Sequence, residues 1–447
     1  MNLHRLLLQR AADHKPLRVA LIGAGKFGSM FLSQARRTPG LHVVAVADLD
    51  PDRARASLAR VGWPPTRYEA GSLGRALRTG ATCVTDDALA VIASDAIEIV
   101  IDATGSPTAG IHHALACAGH GKHIVMVNVE ADALAGPLLA RRAAQAGVVY
   151  TLAYGDQPAL ICEMVDWART AGFEVVAAGK GTKYLPAYHD STPETVWNHY
   201  GFSREQVEKG DFNARMFNSF LDGTKSAIEM AAVANAAQLS VAPEGLGFPP
   251  CGVDDLPRVL KPRADGGVLD RRGQVEVVSS LERNGNAVVR DLRWGVYVTF
   301  AGDSDYVRRC FSEYGLITDE SGNYAAMYKP YHLIGLELGI SVASVGLRGE
   351  ATGAPHDFRA DAVAIAKRDL AAGETLDGEG GYTVYGRLMS AAESLRLGGL
   401  PIGLAHRVQL IRAVGKGRPI TWDDVAASDS EAVRTRREME SLYATDP

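Results

Sequence analysis

Three glycines near the start of the chain, Gly23, Gly25 and Gly28, are spaced as GxGxxG. They follow an apolar run that is typical of a β-strand, and a helical pattern begins directly after them. In this setting the first glycine permits a tight turn, the second lets a pyrophosphate approach the backbone, and the third allows close helix packing. Because the first amides of a helix bind phosphate, the motif predicts a dinucleotide site that also includes Lys26 and Phe27.

An acidic residue, Asp48, stands at the end of the next apolar run. In a dinucleotide site, a carboxylate at this place accepts a hydrogen bond from the ribose 2′-hydroxyl of adenosine and repels a 2′-phosphate, which favours NAD. Arg53 lies at the start of the following helical pattern and could bind a 2′-phosphate if Asp48 turned away. The sequence therefore predicts NAD or NADP as the cofactor, with a slight preference for NAD.

Two further strand ends are expected on the nicotinamide side of this site. Thr104 and Gly105 follow one predicted strand, and Asn128 follows the next. Open α/β sheets bind ligands at the carboxyl ends of their strands, so all three residues are predicted to contact the cofactor. The alternative for Asn128 is the N-cap of the helix that follows. Glu130 is either an acid in the first turn of that helix or a substrate-binding group.

Two lysines in a glycine-containing segment, Lys180 and Lys183, are candidates for acid chemistry and substrate binding. Reduction of a carbonyl needs a hydride at carbon and a proton donor at oxygen, and a lysine with a lowered pKa is a common donor. The segment follows a predicted strand over residues 173–178, and its glycines would let backbone and ammonium groups meet a phosphate or carboxylate. The alternative is a solvated turn with two surface lysines.

A second group of charged residues, Asp222, Lys225 and Glu229, leads into a predicted helix. Lys225 and Glu229 are four residues apart and therefore share one helix face, where an ordinary surface pair contributes only ~0.3 kcal/mol. The functional alternative is a catalytic group in which a buried carboxylate holds a reactive lysine. Lys225 and Lys183 are both predicted as proton donors and substrate-binding residues.

One more lysine, Lys329, precedes His332 and is predicted to bind substrate, whereas His332 is assigned to packing. The sequence leaves a metal undecided. Asp222 and Glu229 could hold a magnesium ion through substrate oxygens. The histidines lack the spacing of a zinc site.

The elements that must position these residues indicate an α/β protein with several domains. The chain has 447 residues, more than one hydrophobic core usually supports. Strands alternate with helices over residues 1–154, which predicts a doubly wound parallel sheet of the Rossmann type. Residues 155–350 are predicted to form an α/β substrate and dimerisation domain with a mixed or antiparallel sheet. Residues 351–447 are predicted to form a small β-rich domain.

Within the second predicted domain, one long helix is expected over Phe217–Gln238. Strands are expected at residues 275–280, 287–293 and 296–301, because alternating apolar residues there are separated by short turns. A helix-like run covers residues 331–347.

Composition limits the partners of the protein. The net charge is -5 and the pI is about 6.2, so neither nucleic acid nor an anionic membrane is an expected partner. No signal peptide or membrane-spanning apolar run is recognisable, and the five cysteines have no paired spacing. We expect a cytoplasmic homo-oligomer, a dimer or a tetramer, that acts on a small anionic substrate.

Several stretches together resemble the homoserine dehydrogenase-like oxidoreductases, over the chain up to about residue 340. The most similar group is the 1-deoxy-D-xylulose 5-phosphate reductoisomerase-like proteins, which carry a C-terminal SAF domain. Residues 364–370 and 373–376 resemble such a domain. The stretches that carry the main resemblance are Val127–Asp132, Gly155–Pro158, Gly179–Tyr184, Phe220–Lys225 and Tyr328–His332.

Two departures from the homoserine dehydrogenase pattern concern the substrate. The family has Asn-Lys where this chain has Asn128-Val129, and Asn-Gly-Thr-Thr where this chain has Asp222-Gly223-Thr224-Lys225. A lysine is thereby lost at one position and gained at another. The resemblance therefore implies related hydride chemistry on an anion other than homoserine.

The sequence as a whole predicts an NAD(P)-dependent dehydrogenase or reductase for a small anionic hydroxy or keto compound. A sugar phosphate or a polyol acid fits this description, and the reductoisomerase reaction on 1-deoxy-D-xylulose 5-phosphate is a specific candidate. A divalent metal stays an open question. Two alternatives remain: a non-catalytic sensor that binds NAD(P), and an epimerase that retains its NAD.

Overall fold

The structure is a computed structural model that describes residues 2–209 and 212–444. Its backbone contacts divide the chain into two units. The first unit comprises the residues up to 160 together with 332–356, and the second comprises 161–331 and the residues from 357 onward. The chain therefore leaves the first unit, builds most of the second, and returns to the first once. The three predicted domains, with boundaries at 154 and 350, stay a prediction.

Six parallel strands form the sheet of the first unit, in the order β3-β2-β1-β4-β5-β6. They are β1 (Leu17–Ile22), β2 (Leu41–Ala47), β3 (Cys83–Thr85), β4 (Ile99–Asp102), β5 (His123–Met126) and β6 (Tyr150–Leu152). This is the strand order of doubly wound Rossmann folds, in which the connections reverse direction between β1 and β4. The predicted fold class is confirmed. The strands are buried along nearly their whole length because such a sheet carries helices on both faces.

Helices connect the strands of that sheet. All the α-helices among the described residues are numbered in chain order. They are α1 (Leu3–Ala12), α2 (Lys26–Ala35), α3 (Pro51–Arg60), α4 (Leu73–Thr79), α5 (Ala88–Ala93), α6 (Pro107–Gly119), α7 (Val129–Gln145), α8 (Gln157–Thr170), α9 (Val196–Tyr200), α10 (Arg204–Lys209), α11 (Ala214–Leu221), α12 (Thr224–Ala237), α13 (Leu256–Val259), α14 (Asp305–Glu313), α15 (Gly339–Arg348), α16 (Ala391–Leu397) and α17 (Glu431–Tyr443).

The helix-like run predicted over residues 331–347 forms α15 only from Gly339 onward. It packs in the first unit, against α1, α2 and β1. Contact is close at Gly346, where a Cβ atom would lie 2.7 Å from the side chain of Leu17. Residues far along the chain thus complete the core beneath the Rossmann sheet.

A mixed sheet forms the centre of the second unit, in the order β10-β9-β7-β8. Its strands are β7 (Glu174–Thr182), β8 (Gln274–Ser279), β9 (Val296–Ala301) and β10 (Tyr324–Lys329). β7 and β8 are parallel, whereas β9 is antiparallel to both of its neighbours. The prediction of a mixed or antiparallel sheet is therefore confirmed in its mixed form.

The strand predicted over residues 287–293 is wrong. The chain turns at Val289 and Arg290, and Arg290 has a φ of 52°, in the left-handed region that ends a strand. Val289 is exposed instead of packed. The apolar alternation of this segment is thus not the signature of a half-buried strand.

The long helix predicted over Phe217–Gln238 is broken in two. α11 ends at Leu221, α12 begins at Thr224, and Gly223 between them has a φ of +91°. A positive φ stops a right-handed helix and suits glycine. The break brings the side chain of Asp222 into the protein interior.

The residues from 357 onward add two small antiparallel sheets to the second unit. Their strands are β11 (Ala360–Ala366) with β13 (Val384–Ser390), and β12 (Thr375–Asp377) with β14 (His406–Gln409). β11 and β13 both pack against α12. The assignment of this region to a SAF domain stays a prediction. Among the described residues, no helix is long and apolar enough to cross a bilayer.

Candidate functional site

The glycine turn between β1 and α2 has the geometry of a pyrophosphate cradle. Gly23 has a φ of +95°, and a Cβ atom there would lie 2.7 Å from the carbonyl oxygen of Ala103. A Cβ atom on Gly28 would lie 2.2 Å from the carbonyl oxygen of Gly23, so only glycine lets the helix approach the turn. At Gly25, in contrast, no heavy atom lies within 4 Å of the Cβ position. The backbone beside Gly25 therefore has room for a phosphate group.

The start of α2 supplies the donors for that group. Gly25 is the N-cap, and no side chain caps the helix there. The first amides of the helix, at Lys26 and Phe27, consequently lack a side-chain acceptor, and such amides bind phosphate favourably. The residues of the turn thus fit the dinucleotide that the sequence predicted.

Asp48 lies at the end of β2 and braces the glycine turn. One carboxylate oxygen accepts a hydrogen bond from the amide of Ala24 at 2.8 Å, and the other accepts one from the amide of Asp50 at 3.0 Å. The same carboxylate forms an ion pair with Arg53, at 2.5 Å. The Asp48 side chain is only 1% exposed, whereas that of Arg53 is 60% exposed. Of these two paired side chains, that of Arg53 is therefore the one presented to solvent.

The loop after β4 is held by a buried polar network that the sequence analysis did not foresee. Asp102 accepts hydrogen bonds from the amide and the hydroxyl of Thr104, at 3.1 and 2.8 Å. His113 on α6 contacts the other carboxylate oxygen at 2.6 Å. In the sequence, Asp102 was recognisable as an acid at the end of a predicted strand. Its partner His113 was not, because it lies on the face of a separate helix. This network fixes the loop that contains Gly105.

Asn128 has the N-cap role that was its alternative. Its side-chain oxygen accepts from the amide of Ala131 at 3.2 Å, which caps α7. Its side-chain nitrogen donates to the carbonyl oxygen of Ser106 at 2.7 Å, so it also ties down the loop after β4. Glu130 lies half-buried in the first turn of α7.

In the second unit, the segment predicted as a glycine loop for an anion is instead part of a strand. β7 runs to Thr182, and Lys180 within it is buried and forms an ion pair with Glu229. Cβ atoms on Gly179 and Gly181 would lie 1.8 and 2.0 Å from backbone carbonyl oxygens, so both glycines serve close strand packing. Lys180 therefore faces a carboxylate rather than an open anion site.

Lys183 follows the end of β7 and lies in a different environment. Its ammonium group donates to the backbone carbonyl of His199 and lies 5.5 Å from the centre of the Tyr200 ring. Burial, together with the positive charge of Arg293, lowers the pKa of Lys183 below its ordinary value. A lysine in this state loses its proton more readily than a solvated one.

Arg293 is a residue that the sequence analysis missed, because it falls in the segment that was predicted as a strand. Its guanidinium lies 5.6 Å from the centre of the Tyr200 ring and 4.7 Å from that of Trp294. Within residues 2–209 and 212–444, no carboxylate forms an ion pair with Arg293 or Lys183. Lys183, Arg293 and Tyr200 are called the cationic cluster below. Burial raises the pKa of Tyr200 to about 12, so its hydroxyl stays protonated.

Asp222 is bound to a lysine, though not to the neighbouring one. It is fully buried and accepts from the ammonium group of Lys367 at 2.7 Å. That ammonium group also donates to the carbonyl oxygens of Ser191 and Gly381, at 2.7 and 2.8 Å. Burial raises the pKa of Asp222, and the charge of Lys367 opposes that shift. Lys225 lies half-buried in the first turn of α12.

The remaining predicted site residues bear on substrate and metal. Lys329 forms an ion pair with Glu163 at 2.7 Å, and both side chains are about one third exposed. No group of three or more metal-ligating side chains occurs among the described residues. Asp222 and Glu229, the predicted magnesium donors, each already bind a buried lysine. These two acids therefore do not fit a metal site in the arrangement described.

Two parts of the chain match known protein families. Residues 17–127 match "Oxidoreductase family, NAD-binding Rossmann fold", a match that contains the glycine turn. Residues 155–338 match "Oxidoreductase DRL, catalytic domain", which contains the cationic cluster. No curated protein matches the chain.

Solved structures resemble the chain only distantly. An oxidoreductase from Agrobacterium radiobacter in complex with NAD+, L-tartaric acid and magnesium is 17% identical with a TM-score of 0.27, and the match covers 37% of this chain and 44% of that one. A probable dehydrogenase from Thermotoga maritima is 13% identical with a TM-score of 0.37, and the match covers 75% of this chain and 90% of that one. DOX-P reductoisomerase in complex with NADPH, fosmidomycin and magnesium is 16% identical with a TM-score of 0.36, and the match covers 61% of this chain and 65% of that one.

The chain thus spans less than half the length of the Agrobacterium protein. Likenesses this low do not bear on substrate or mechanism. The family matches do bear on the class of protein, because one covers the dinucleotide-binding sheet and the other a catalytic domain. With a pyrophosphate cradle at the predicted turn, residues 17–127 have the features of an NAD(P)-binding Rossmann domain, and residues 155–338 resemble an oxidoreductase catalytic domain.

Proposed function

We propose that the protein transfers a hydride between NAD(P)H and a small anionic hydroxy or keto compound, and that the cationic cluster binds the anion. The observation that carries this proposal is the pair of cations, Lys183 and Arg293, at one aromatic ring without an ion-paired carboxylate among the described residues. Two such cations repel each other, and this repulsion adds to burial in lowering the pKa of Lys183. A bound anion relieves that repulsion.

The chemistry of the three side chains suits a phosphate or a carboxylate. The guanidinium of Arg293 can donate two parallel hydrogen bonds to either group. Tyr200 keeps its proton and can act as a further donor, because burial raises its pKa. A sugar phosphate and a polyol acid both fit these donors, and the sequence resemblance to reductoisomerase-like proteins favours the phosphate.

Lys183 is the proposed proton donor to the carbonyl oxygen, with Lys225 as the second candidate. When bound, NAD(P)H supplies the hydride. A general acid works best when its pKa is close to the working pH, and the pKa of Lys183 is lowered in that direction. In the oxidation direction, the same amine in its neutral form would accept the hydroxyl proton. No step is assigned to a metal, since Asp222 and Glu229 are engaged with lysines.

The specific reaction proposed is that of a reductoisomerase-like enzyme on a sugar phosphate. The family description of residues 155–338 is compatible with it, and so is the resemblance of the C-terminal residues to a SAF domain. A homo-oligomer and a cytoplasmic location are part of the same proposal.

The test uses the full chain, NADH and NADPH, and a panel of phosphorylated and carboxylated polyols with their keto forms, followed at the nicotinamide absorbance band. For the active compound, Lys183→Met should lower kcat by about 100-fold or more and leave coenzyme binding intact. Lys15→Met, at an exposed lysine of the first unit, is the matched control. If Lys225→Met causes the large loss and Lys183→Met does not, the donor is Lys225. Turnover confined to uncharged compounds would remove the anion from the proposal.

A further inference from the structure

One pocket lies wholly within the second unit, between the first turn of α12, strand β13 and the loop that joins α12 to α13. Its empty volume is about 360 Å³, counting the part that is open to solvent. None of the residues that line it belongs to the cationic cluster.

The walls of the pocket are held in place by stacked rings. His189 stacks on Tyr385 with ring centres 4.5 Å apart, and Tyr184 stacks on Phe248 at 3.9 Å. Both nitrogens of His189 are engaged, with the carbonyl oxygen of Asp222 at 2.7 Å and the hydroxyl of Tyr184 at 3.0 Å. Burial lowers the pKa of His189, which keeps its ring neutral near pH 7. These rings therefore form a fixed, mostly apolar surface.

A cation and a hydrogen-bond donor face the pocket from β13. Tyr385 and Arg387 are two residues apart on the strand and therefore point to the same side of it. Within the part of the chain that the structure describes, Arg387 has no ion-paired carboxylate and the Tyr385 hydroxyl has no hydrogen-bond partner. Together they offer a carboxylate a charge-assisted contact.

A carboxylate lines the same pocket. Glu244 lies in the loop between α12 and α13, is exposed, and forms no ion pair with any described residue, Arg387 included. The two opposite charges thus face one pocket without neutralising each other. Leu246 and Phe248 line the same pocket and give it apolar surface.

We propose that this pocket binds a small zwitterion with the chemistry of an amino acid. Its carboxylate would contact Arg387 and Tyr385, its ammonium group would contact Glu244, and an aliphatic side chain would pack against Leu246 and Phe248. A plain anion would leave Glu244 unmatched, and a plain amine would leave Arg387 unmatched. The inference does not rest on the proposed hydride chemistry, because it uses none of the same residues.

The test is calorimetric titration of the full chain with L-leucine as the probe. Leucine should bind saturably with a Kd of about 1 mM or lower. Isocaproate, which lacks the ammonium group, and 3-methylbutylamine, which lacks the carboxylate, should each bind about tenfold more weakly, because each leaves one pocket charge unmatched. Inorganic phosphate, as a probe for a simple anion site, should not displace leucine.

Two substitutions assign the contacts. Glu244→Gln should weaken leucine binding about tenfold and leave isocaproate binding unchanged, since only leucine has the ammonium group. Arg387→Met should weaken leucine and isocaproate alike. Glu282→Gln and Arg271→Met remove exposed charges of the same unit and are the matched controls.

The proposal is overturned if leucine gives no saturable binding, if it binds no better than isocaproate, or if phosphate displaces it. It is also overturned if a control substitution weakens leucine as much as Glu244→Gln does. Because Glu244 is exposed, its substitution keeps the test valid even if Arg387→Met fails to fold. Coenzyme binding and turnover are measured on the same samples and should be unchanged in Glu244→Gln.

Discussion

The ion pair between Asp48 and Arg53 is the basis for a prediction of coenzyme preference. With Asp48 buried and Arg53 exposed, the guanidinium is placed to contact a 2′-phosphate. We expect Arg53→Ala to raise the Kd for NADPH about tenfold or more and to change the Kd for NADH much less, as measured by coenzyme titration. Arg55→Ala, two residues along the same helix, is the control. An equal loss for both coenzymes would mean that Arg53 does not recognise the 2′-phosphate.

The pH dependence of turnover tests the coupling between Lys183 and Arg293. If Lys183 is the general acid, reduction requires its protonated form, so kcat/KM should fall as the pH rises through a pKa below the ordinary lysine value of about 10.4. Arg293 lowers that pKa. Arg293→Gln should therefore shift this fall in kcat/KM, the alkaline limb of the pH profile, to higher pH. In Lys183→Met the limb should vanish. A limb that stays in place in Arg293→Gln would contradict the assignment of the limb to Lys183.

Sequence spacing located the residues whose neighbours are close along the chain. The glycine turn is an example, because its three glycines act within one loop. Sequence spacing could not identify the partner of Asp222, since Lys367 lies 145 residues away. Glu229 likewise binds Lys180, 49 residues away, although Lys225 was the obvious neighbour on its helix. Tertiary contacts between charged residues of distant segments leave no periodic signal in a sequence.

At the scale of elements, the break between α11 and α12 is a sharp test of backbone strain. Gly223 has a φ of +91°, and a Cβ atom there would lie 3.2 Å from the ring of His189. Gly266 has a φ of +84°, but nothing lies within 4 Å of its Cβ position. Gly266→Ala therefore measures strain alone, about 1 kcal/mol, and Gly223→Ala should cost more, about 2 kcal/mol, in the free energy of unfolding.

Denaturant unfolding of both variants against the wild type gives the comparison. Equal losses would mean that the contact with His189 adds nothing to the backbone strain. A gain in stability in Gly223→Ala would show that α11 and α12 can join into the single helix that the sequence predicted.

Periodicity identified this helical region correctly but not its interruption, because Asp222-Gly223 is compatible with either one helix or two. It failed altogether over residues 287–293, where apolar alternation coincides with a turn at Arg290. The Rossmann strands were predictable for a physical reason. They are buried on both faces and read as continuous apolar runs between turn residues.

At the scale of the whole molecule, the order of segments along the chain does not give the order of packing. Residues 332–356 join the first unit after the chain has built most of the second. Their helical pattern is visible in the sequence, but an amphipathic helix does not name the surface that it covers. The sequence likewise does not show which surface helix α17 covers. In the structure, a buried ion pair joins this helix to β11. Arg436 on α17 binds Asp361 of β11 at 2.5 Å.

Arg436→Met tests how much that ion pair contributes to the stability of the second unit. Arg436 is fully buried and also binds Glu440 at 2.8 Å, so its loss leaves Asp361 without its cation, whereas Glu440 keeps its ion pair with Arg437. Breaking a buried pair by removing one partner costs about 3–5 kcal/mol, and we expect a loss of that size in thermal or denaturant unfolding.

Arg434→Met, which removes an exposed pair with Asp429, should change stability by less than about 0.5 kcal/mol. Below the unfolding transition, coenzyme affinity should stay the same in both variants, because the glycine turn lies in the first unit. A loss below about 1 kcal/mol in Arg436→Met would mean that Asp361 is protonated or hydrated without it, and that the other contacts of α17 hold the helix in place.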